Sequence, residues 1–579
     1  MERPYPAHWE ADVVLRDGRT AHLRPITPED ADALVAFYSR LSAETIYYRF
    51  FAPYPKLSDR DVVHFTTVDH HDRVALVATV GDDIIAVARY DRVPPAEAEV
   101  AFNIEDAHQG RGVGSVLLEH LAAAARERGI ERFVAEVLPT NRKMLSVFRD
   151  AGYTVTHEFE DGVVRLQFDL APTATSLQVM QAREHRAEAR SVERLLRPES
   201  IVVIGAGRQE RSIGSRALRN LVAGGFPGRL AAVNLSATTV AGVPAYPSVV
   251  DVPGTVDLAV VAVPAESVQA VVLSCARKGV RGLVVVSSGY AEVGGEGVER
   301  QHRLVRTARA NGMRVVGPNS FGMIDTDPEV SLNASLAPAM PARGRVGFFS
   351  QSGALGIAIL EAVAQRGLGL STFVSAGNRA DVSGNDLLQY WEEDAATDVV
   401  LLYLESIGNP RKFSRLARRV GRSKPVVAVK SGRSTQGVPL GHSVRESRVP
   451  AEAVDAMFDQ AGVVHVDTIT QLLDVAQLLA TQPLPRGPRV AIVANSAALL
   501  LLAQDACRSS GLEVAAGGVP LRPDATTEVF RIALRAAFAR PDVDSVVAVF
   551  VPPLETPDEE VVQVVGEQAT ASGKTVVGT

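Results

Sequence analysis

Between residues 98 and 129 the chain passes from a strand into a helix through a turn that carries three closely spaced glycines, and no other stretch constrains its folding as tightly. Residues 98–104 (AEVAFNI) alternate loosely like a strand, and residues 113–129 (VGSVLLEHLAAAARERG) carry apolar residues at helical spacing and stop at a glycine. At the junction stand Gln109, Gly110, Arg111, Gly112, Val113, Gly114 and Ser115. Glycine lets the backbone approach a ligand closely, and a helix N-terminus offers unpaired N–H groups to an anion. The segment therefore reads as a cradle for a pyrophosphate, with a plain tight turn as the competing reading.

After residue 196 the pattern is strand, loop, helix, repeated. Buried-strand runs fall at 200–204, 258–263, 282–286 and 314–316. A second set begins at 344–349 and continues through 398–404 and 425–430, and a third opens at 488–494 and reaches 545–551. Such alternation predicts doubly wound parallel sheets. The stretch 171–196 is polar and Ala/Arg/Glu-rich, and reads as a linker, helical in its second half. The expected organisation is an α/β domain over 10–170, this linker, a Rossmann-like domain over 197–330, a flavodoxin-like domain over 331–482 and an incomplete flavodoxin-like domain over 483–579.

Composition bounds the partners. A net charge of −7 with no Lys/Arg-rich run speaks against nucleic acid. Only two cysteines occur, Cys275 and Cys507, both within apolar helix-like segments. They suit a reducing cytoplasm and give neither a disulfide framework nor a zinc site. There is no apolar run of about 18 residues and no N-terminal signal pattern, so no membrane is expected. High Ala, Arg, Val and Gly usage points to a bacterial source, and a homo-oligomer is compatible with everything above.

The turn at 109–114, the entry LRPITPED at 23–30, and the helix after Asn141 that closes on Gly152 and Tyr153 together resemble the GNAT acyltransferase family. That resemblance implies acetyl-CoA as co-substrate, no metal, and a pyrophosphate held by residues 109–115. Attack on a thioester needs a neutral amine, and lysine, with a reference pKa near 10.4, must first lose a proton. Glu99 on the strand before the turn is the candidate base, as the family implies, with Glu97 on the same strand face as fallback. Asn141 would bond CoA or nearby backbone. Tyr153 is a candidate acid near the sulfur, with an ordinary core aromatic as the alternative.

Residues 197–579 resemble the NDP-forming acyl-CoA synthetases, relatives of succinyl-CoA synthetase. In the first unit Gly205, Gly207, Ser212 and Gly214 follow the opening strand. Pro264, Ser287, Gly289, Pro318 and Asn319 stand just past later strands, where such sheets bind ligands. The resemblance implies that these residues bind CoA, although Ser320 replaces the family's usual cysteine. A dinucleotide site competes, but the gap from Gly207 to Gly214 is too long for it. In the second unit the resemblance implies a phosphohistidine at His442, oriented by Glu405. The small residues expected after His442 are gone, and the third unit has leucines at 499–502 where the family has glycines. The given sequence contains no ATP-grasp segment.

Joining the two resemblances gives an expectation of the bacterial Pat type. The chain would be an acyl-CoA-dependent protein lysine acetyltransferase, cytoplasmic, whose synthetase-like region senses acyl-CoA allosterically, with acyl-CoA synthetases as protein substrates. The alternative is an active NDP-forming acyl-CoA ligase with an appended acetyltransferase.

Overall fold

Strands β1 (Ala11–Val14), β2 (Thr20–Pro25), β3 (Arg73–Val80), β4 (Asp83–Val93), β5 (Glu97–Ile104), β6 (Arg132–Val137), β7 (Val155–Glu160) and β8 (Val163–Asp169) form one sheet in the order 1-2-3-4-5-6-8-7. The computed structural model describes residues 4–160, 162–207, 209, 211–431, 451–515, 519–552 and 558–579. Side chains alternate across a strand, so β3 sends Ala75 and Val77 to one face and Val74, Leu76 and Ala78 to the other. The first face is covered by α1 (Ala31–Ser39), α2 (Ala43–Phe50) and α3 (Asp59–Thr66). The second is covered by α4 (Val113–Glu127) and α5 (Arg142–Asp150).

One ladder in this sheet differs from the rest. β5 and β6 are parallel and pair only at Glu97–Arg132, Ala98–Phe133 and Glu99–Val134. β5 keeps pairing with β4 as far as Ile104, and β6 keeps pairing with β8 as far as Val137. Past Glu99 the two strands part, and the sheet opens in its middle.

The stretch expected as a linker is a single helix, α6 (Ala174–Leu196), longer than the predicted half. Thr173 caps it through the Ser176 N–H, and Ala187, Ala189, Val192, Leu195 and Leu196 are buried. The polar residues that suggested a linker make tertiary ion pairs: Arg183 with Glu119, Glu184 with Lys412, and Glu188 with Arg314.

Beyond it, β9 (Ser200–Ile204), β10 (Arg229–Val233), β11 (Thr239–Val240), β12 (Val243–Tyr246), β13 (Leu258–Val261), β14 (Gly282–Val285) and β15 (Arg314–Val316) lie in the order 11-12-10-9-13-14-15, parallel except for β11. α7 (Ile213–Ala223), α8 (Ala265–Lys278) and α9 (Glu296–Ala310) connect them. A third sheet contains β16 (Gly322–Asp325), β17 (Leu332–Ser335), β18 (Arg343–Ser350), β19 (Leu370–Ser375), β20 (Val399–Leu404), β21 (Val426–Lys430) and β22 (Val464–Val466), in the order 17-16-19-18-20-21-22. β16 and β17 form its antiparallel edge. One continuous core joins these two sheets, running from Val192 of α6 through Val203 and Val260 to Leu402 and Phe458.

A charged cluster sits at the same junction. Arg314, 2% exposed, donates to Glu188 of α6 at 2.7 Å and to Asp381 at 3.1 Å, and Arg309 donates to Asp381 at 2.9 Å. Burial works against the Arg314 charge, but Asp381, Glu188 and Asp386 outweigh it and raise the guanidinium above its ordinary range.

The chain divides into two compact units, Met1–Leu472 and Leu473–Thr579. In the second, β23 (Arg489–Ala494), β24 (Glu513–Val514), β26 (Ser545–Val549) and β27 (Thr575–Gly578) form a parallel sheet, with β25 (Val519–Pro520) also on β23. Among the described residues no helix is long and apolar enough to cross a membrane, and no group of three or more His, Cys, Asp or Glu is placed to hold a metal.

Candidate functional site

α4 begins at the open end of β5. Its N-cap is Gly112, at φ +82°, which supplies no side chain to cap the helix. The first intrahelical bond is Val116 N–H to Gly112 carbonyl at 3.2 Å. The N–H groups of Val113, Gly114 and Ser115 therefore face outward, the arrangement that binds an anion. Val113 and Gly114 are buried, so they contribute backbone only. Gly110, at φ +76°, has open space where a Cβ would sit, whereas a Cβ on Gly114 would lie 3.1 Å from Ile104 Cδ1.

Side chains around the turn fix its shape. Gln109 donates to the Ile104 carbonyl at 3.3 Å and accepts from Lys143 Nζ at 2.9 Å. Arg111 does not reach outward as a free cation. Its Nε pairs with Asp17 at 2.9 Å, and its carbonyl accepts from Arg16 N–H at 2.9 Å. The turn between β1 and β2 thus braces the cradle from behind. That same turn rests on α6: a Cβ on Gly18 would lie 3.0 Å from Ser191 Cα, and Arg190 donates to the Arg16 carbonyl at 3.1 Å. Asn141 accepts from Met144 N–H at 3.1 Å as the cap of α5, which is the nearby-backbone alternative.

Glu99 is exposed on β5 at the last paired position before the opening, on the face covered by α1–α3. Glu97 is tied to Arg132 at 3.0 Å, which leaves Glu99 the freer carboxylate. Tyr153 does not join them. It is half-buried and packs on Phe168, with ring centroids 5.7 Å apart, against the core beneath α4 and α5. Sequence reading did not single out Arg49 of α2 and Arg89 of β4, which stand near Glu99 on its face of the sheet. The available signal was an arginine in the middle of the otherwise apolar run IIAVARY.

In the second sheet, parallel strands bring Gly205, Gly207, Pro264, Ser287, Gly289, Pro318 and Asn319 to one edge, past the ends of β9, β13, β14 and β15. Several of these glycines are close-packed. A Cβ on Gly205 would lie 2.4 Å from the Ala262 carbonyl oxygen, and one on Gly214 would lie 2.5 Å from the Gly205 oxygen. The turn is more self-satisfied than the one at Gly112. Ser212 caps α7 through Ser215 N–H at 3.3 Å, and Gly207 N–H donates to Ser215 Oγ at 3.1 Å. A Cβ on Gly207, by contrast, would lie no nearer than 4.0 Å to its neighbour, the Gln209 nitrogen.

In the third sheet, the loops after β18 and β19 meet this edge, with Gly353 of the first and Gly377 of the second both packed on the Asn319 carbonyl. Glu405 follows β20, where Gln351 accepts from its N–H at 2.7 Å. His442 lies outside the described residues. In the second unit, Asn495 bridges to Val551 and Ser496 caps the helix Ala497–Ser509, on which Leu501 and Leu502 are exposed.

Residues 37–153 match the acetyltransferase (GNAT) family, 199–326 a CoA binding domain, and 343–479 a succinyl-CoA ligase-like flavodoxin domain. The alpha subunit of acetate–CoA ligase [ADP-forming] I from Pyrococcus furiosus is 33% identical over 408 residues, 66% of this chain and 88% of that protein. The acetyltransferase Pat of Mycolicibacterium smegmatis is 34% identical over 167 residues, 28% of this chain and 50% of that protein. The dinucleotide-forming acetyl-coenzyme A synthetase 1 of Ca. Korarchaeum cryptofilum, solved with phosphate and ADP, superposes with a TM-score of 0.63 at 32% identity, covering 67% of this chain and 88% of that one. The chain spans about half the length of several other curated ligases it matches.

Proposed function

This chain belongs to the family of ADP-forming acetate–CoA ligases and carries a GNAT domain ahead of that region, and from this premise we propose an acyl-CoA-dependent protein lysine N-acetyltransferase regulated by acyl-CoA at its synthetase-like part. The observation that carries the reading is the uncapped start of α4 beside the parted strands, with Glu99 at the head of the opening. The pyrophosphate would take the N–H groups of Val113, Gly114 and Ser115. The thioester would lie between β5 and β6. Glu99 would remove the amine proton, directly or through a water, as nitrogen attacks the carbonyl carbon and the thiolate leaves. Acyl-CoA synthetases are the proposed protein substrates.

The cradle is tested at Gly112. Gly112→Ala and Gly112→Glu share the strain of a left-handed backbone, so their difference isolates the charge. Gly112→Glu is expected to weaken acetyl-CoA binding at least tenfold relative to Gly112→Ala, about 1.4 kcal/mol. Equal affinities by calorimetry would remove the pyrophosphate from this turn.

Such regulation would act through α6. The turn that braces Arg111 rests on α6, and α6 belongs to the core of the second and third sheets. A ligand at the second sheet that favours one arrangement would shift affinity at the first by its differential binding, commonly about 1–3 kcal/mol. Lysine acetylation by the whole chain is expected to depend sigmoidally on acetyl-CoA. Gly207→Glu adds a negative charge where a Cβ has room, and is expected to make the curve hyperbolic. Identical curves would leave the second region without a regulatory role.

The identity to ADP-forming ligases favours a second reading, in which residues 197–579 take part in acyl-CoA synthesis. Acetyl-CoA formation from acetate, CoA and ATP by this chain would establish that reading over the first.

A further inference from the structure

On the Glu99 face of the sheet, β4 and β5 pair Arg89 with Ala101 and Val87 with Asn103. Arg49 of α2 reaches the same space, and the five residues line a small cavity of about 20 Å³, room for a group little larger than a water, walled by apolar side chains of α1–α3 such as Phe37 and Phe65. Neither arginine has a carboxylate at salt-bridge distance among the described residues; each instead lies over an aromatic ring, Arg89 over Phe65 at 4.2 Å and Arg49 over Phe50 at 5.2 Å. Burial, and then the neighbouring Arg49, pull the Arg89 guanidinium down to about 9, against Asp91. Asn103 Oδ1 is buried without a partner. Two like charges facing one apolar-walled space are costly to hold unless an anion joins them. Guanidinium forks match a carboxylate, and the Asn103 amide can turn its NH2 toward one.

We propose that this cavity receives the distal carboxylate of a dicarboxylic acyl group, so that the enzyme transfers a carboxyacyl group of malonyl to succinyl size from CoA to an amine. The proposal rests on the acyltransferase reading above. The cavity borders residues 101–103, the part of β5 beyond its last pair with β6, where the thioester would lie. Residues two apart on one strand face are separated by about 6–7 Å, so the Arg89–Ala101 pair stands one such step from Glu99. A short acyl chain extending from a carbonyl near Glu99 covers that distance. An acceptor's peptide backbone would not fit inside the enclosed space. In the reaction the amine nitrogen forms the amide bond, the C–S bond breaks, the amine proton passes through Glu99 to the CoA thiol, and the distal carboxylate is unchanged.

The test is calorimetric titration of the full chain with acetyl-CoA and with succinyl-CoA, for the parent, Arg89→Met, Arg49→Met and Arg89→Lys. Any second CoA site contributes equally to parent and variants. Succinyl-CoA should bind the parent at least tenfold more tightly than acetyl-CoA. Arg89→Met and Arg49→Met should abolish that preference, and Arg89→Lys should keep part of it because the charge survives without the fork. Unchanged acetyl-CoA affinity in Arg89→Met reports an intact fold. Equal affinities for the two thioesters, with Gly112→Glu still weakening both, overturn the carboxylate assignment and leave the acyltransferase reading standing. Insensitivity of both to Gly112→Glu overturns the acyltransferase reading itself. If Arg89→Met slows only acetylation of lysines flanked by Glu, the anion comes from the acceptor and the proposal is wrong.

Discussion

Glu99→Gln is expected to slow acetyl transfer to lysine about 10²–10⁴-fold while leaving acetyl-CoA affinity unchanged, because the substitution removes the proton acceptor and keeps the size of the side chain. The side chain is exposed at the mouth of the strand opening, so glutamine fits without repacking. The cradle at Gly112 is a separate element and should bind as before. The deficit should narrow as pH rises, since a lysine that is already neutral needs no base. Single-turnover rates between pH 7 and 9.5, with affinity measured in parallel, check both points. Should Glu99→Gln match the parent while Glu97→Gln is slow, the base is Glu97; but Glu97 is engaged by Arg132, and its loss is expected to act mainly through that pair. If neither substitution slows transfer, the site works by positioning alone.

Arg314→Met is expected to destabilise the first unit by about 3–5 kcal/mol, the cost of leaving buried carboxylates without their cation. Arg314 holds Glu188 of α6 and Asp381 of the loop after β19 together, and Asp381 also accepts from Val315 N–H at 2.7 Å. Asp381 is kept below the usual carboxylate range because Arg314 and Arg309 outweigh its burial. For Glu188 burial prevails and raises it. Removing the shared cation strands Glu188 and leaves Asp381 with Arg309 alone. The triple change Arg314→Met, Asp381→Asn, Glu188→Gln should recover much of the loss, since it removes the charges together. Scanning calorimetry of the full chain reads the shift. A single variant that melts with the parent would mean the cluster is solvated in solution. Loss of the cluster should also weaken the coupling between the sheets, because α6 is pinned by it.

The cradle was legible in the sequence because its information is local. Glycine at 110 and 112 is required by the left-handed backbone there, and the strand before and helix after announce themselves by their periods. The parallel runs at 200–204 and 258–261 were legible for the same reason: strands buried on both faces are continuously apolar. Residues 171–196 were half-read because their polar side chains find partners far away in the chain, two of them more than a hundred residues off. Lys412 for Glu184 and Arg314 for Glu188 leave no trace at local spacing. Tyr153 was read as a candidate acid or an ordinary core aromatic, and its contact with Phe168 is a tertiary one that local spacing does not show.

By itself, then, the sequence determined many of the strands and helices, where the backbone must turn through glycine, and the pair of carboxylates, Glu97 and Glu99, on the strand before the cradle, since these depend on steric limits and periodicities within a few residues. Tertiary structure alone decided three other things. β5 and β6 separate after Glu99, because β5 continues on β4 while β6 continues on β8. Arg49 and Arg89 share one cavity, because α2 is laid across that face. The turn behind Arg111 rests on α6, because the buried Arg314 cluster fixes that helix to sheets more than a hundred residues downstream. Each of these depends on which surfaces meet in space, and pairwise burial of charge and apolar area between distant segments has no signature at short range.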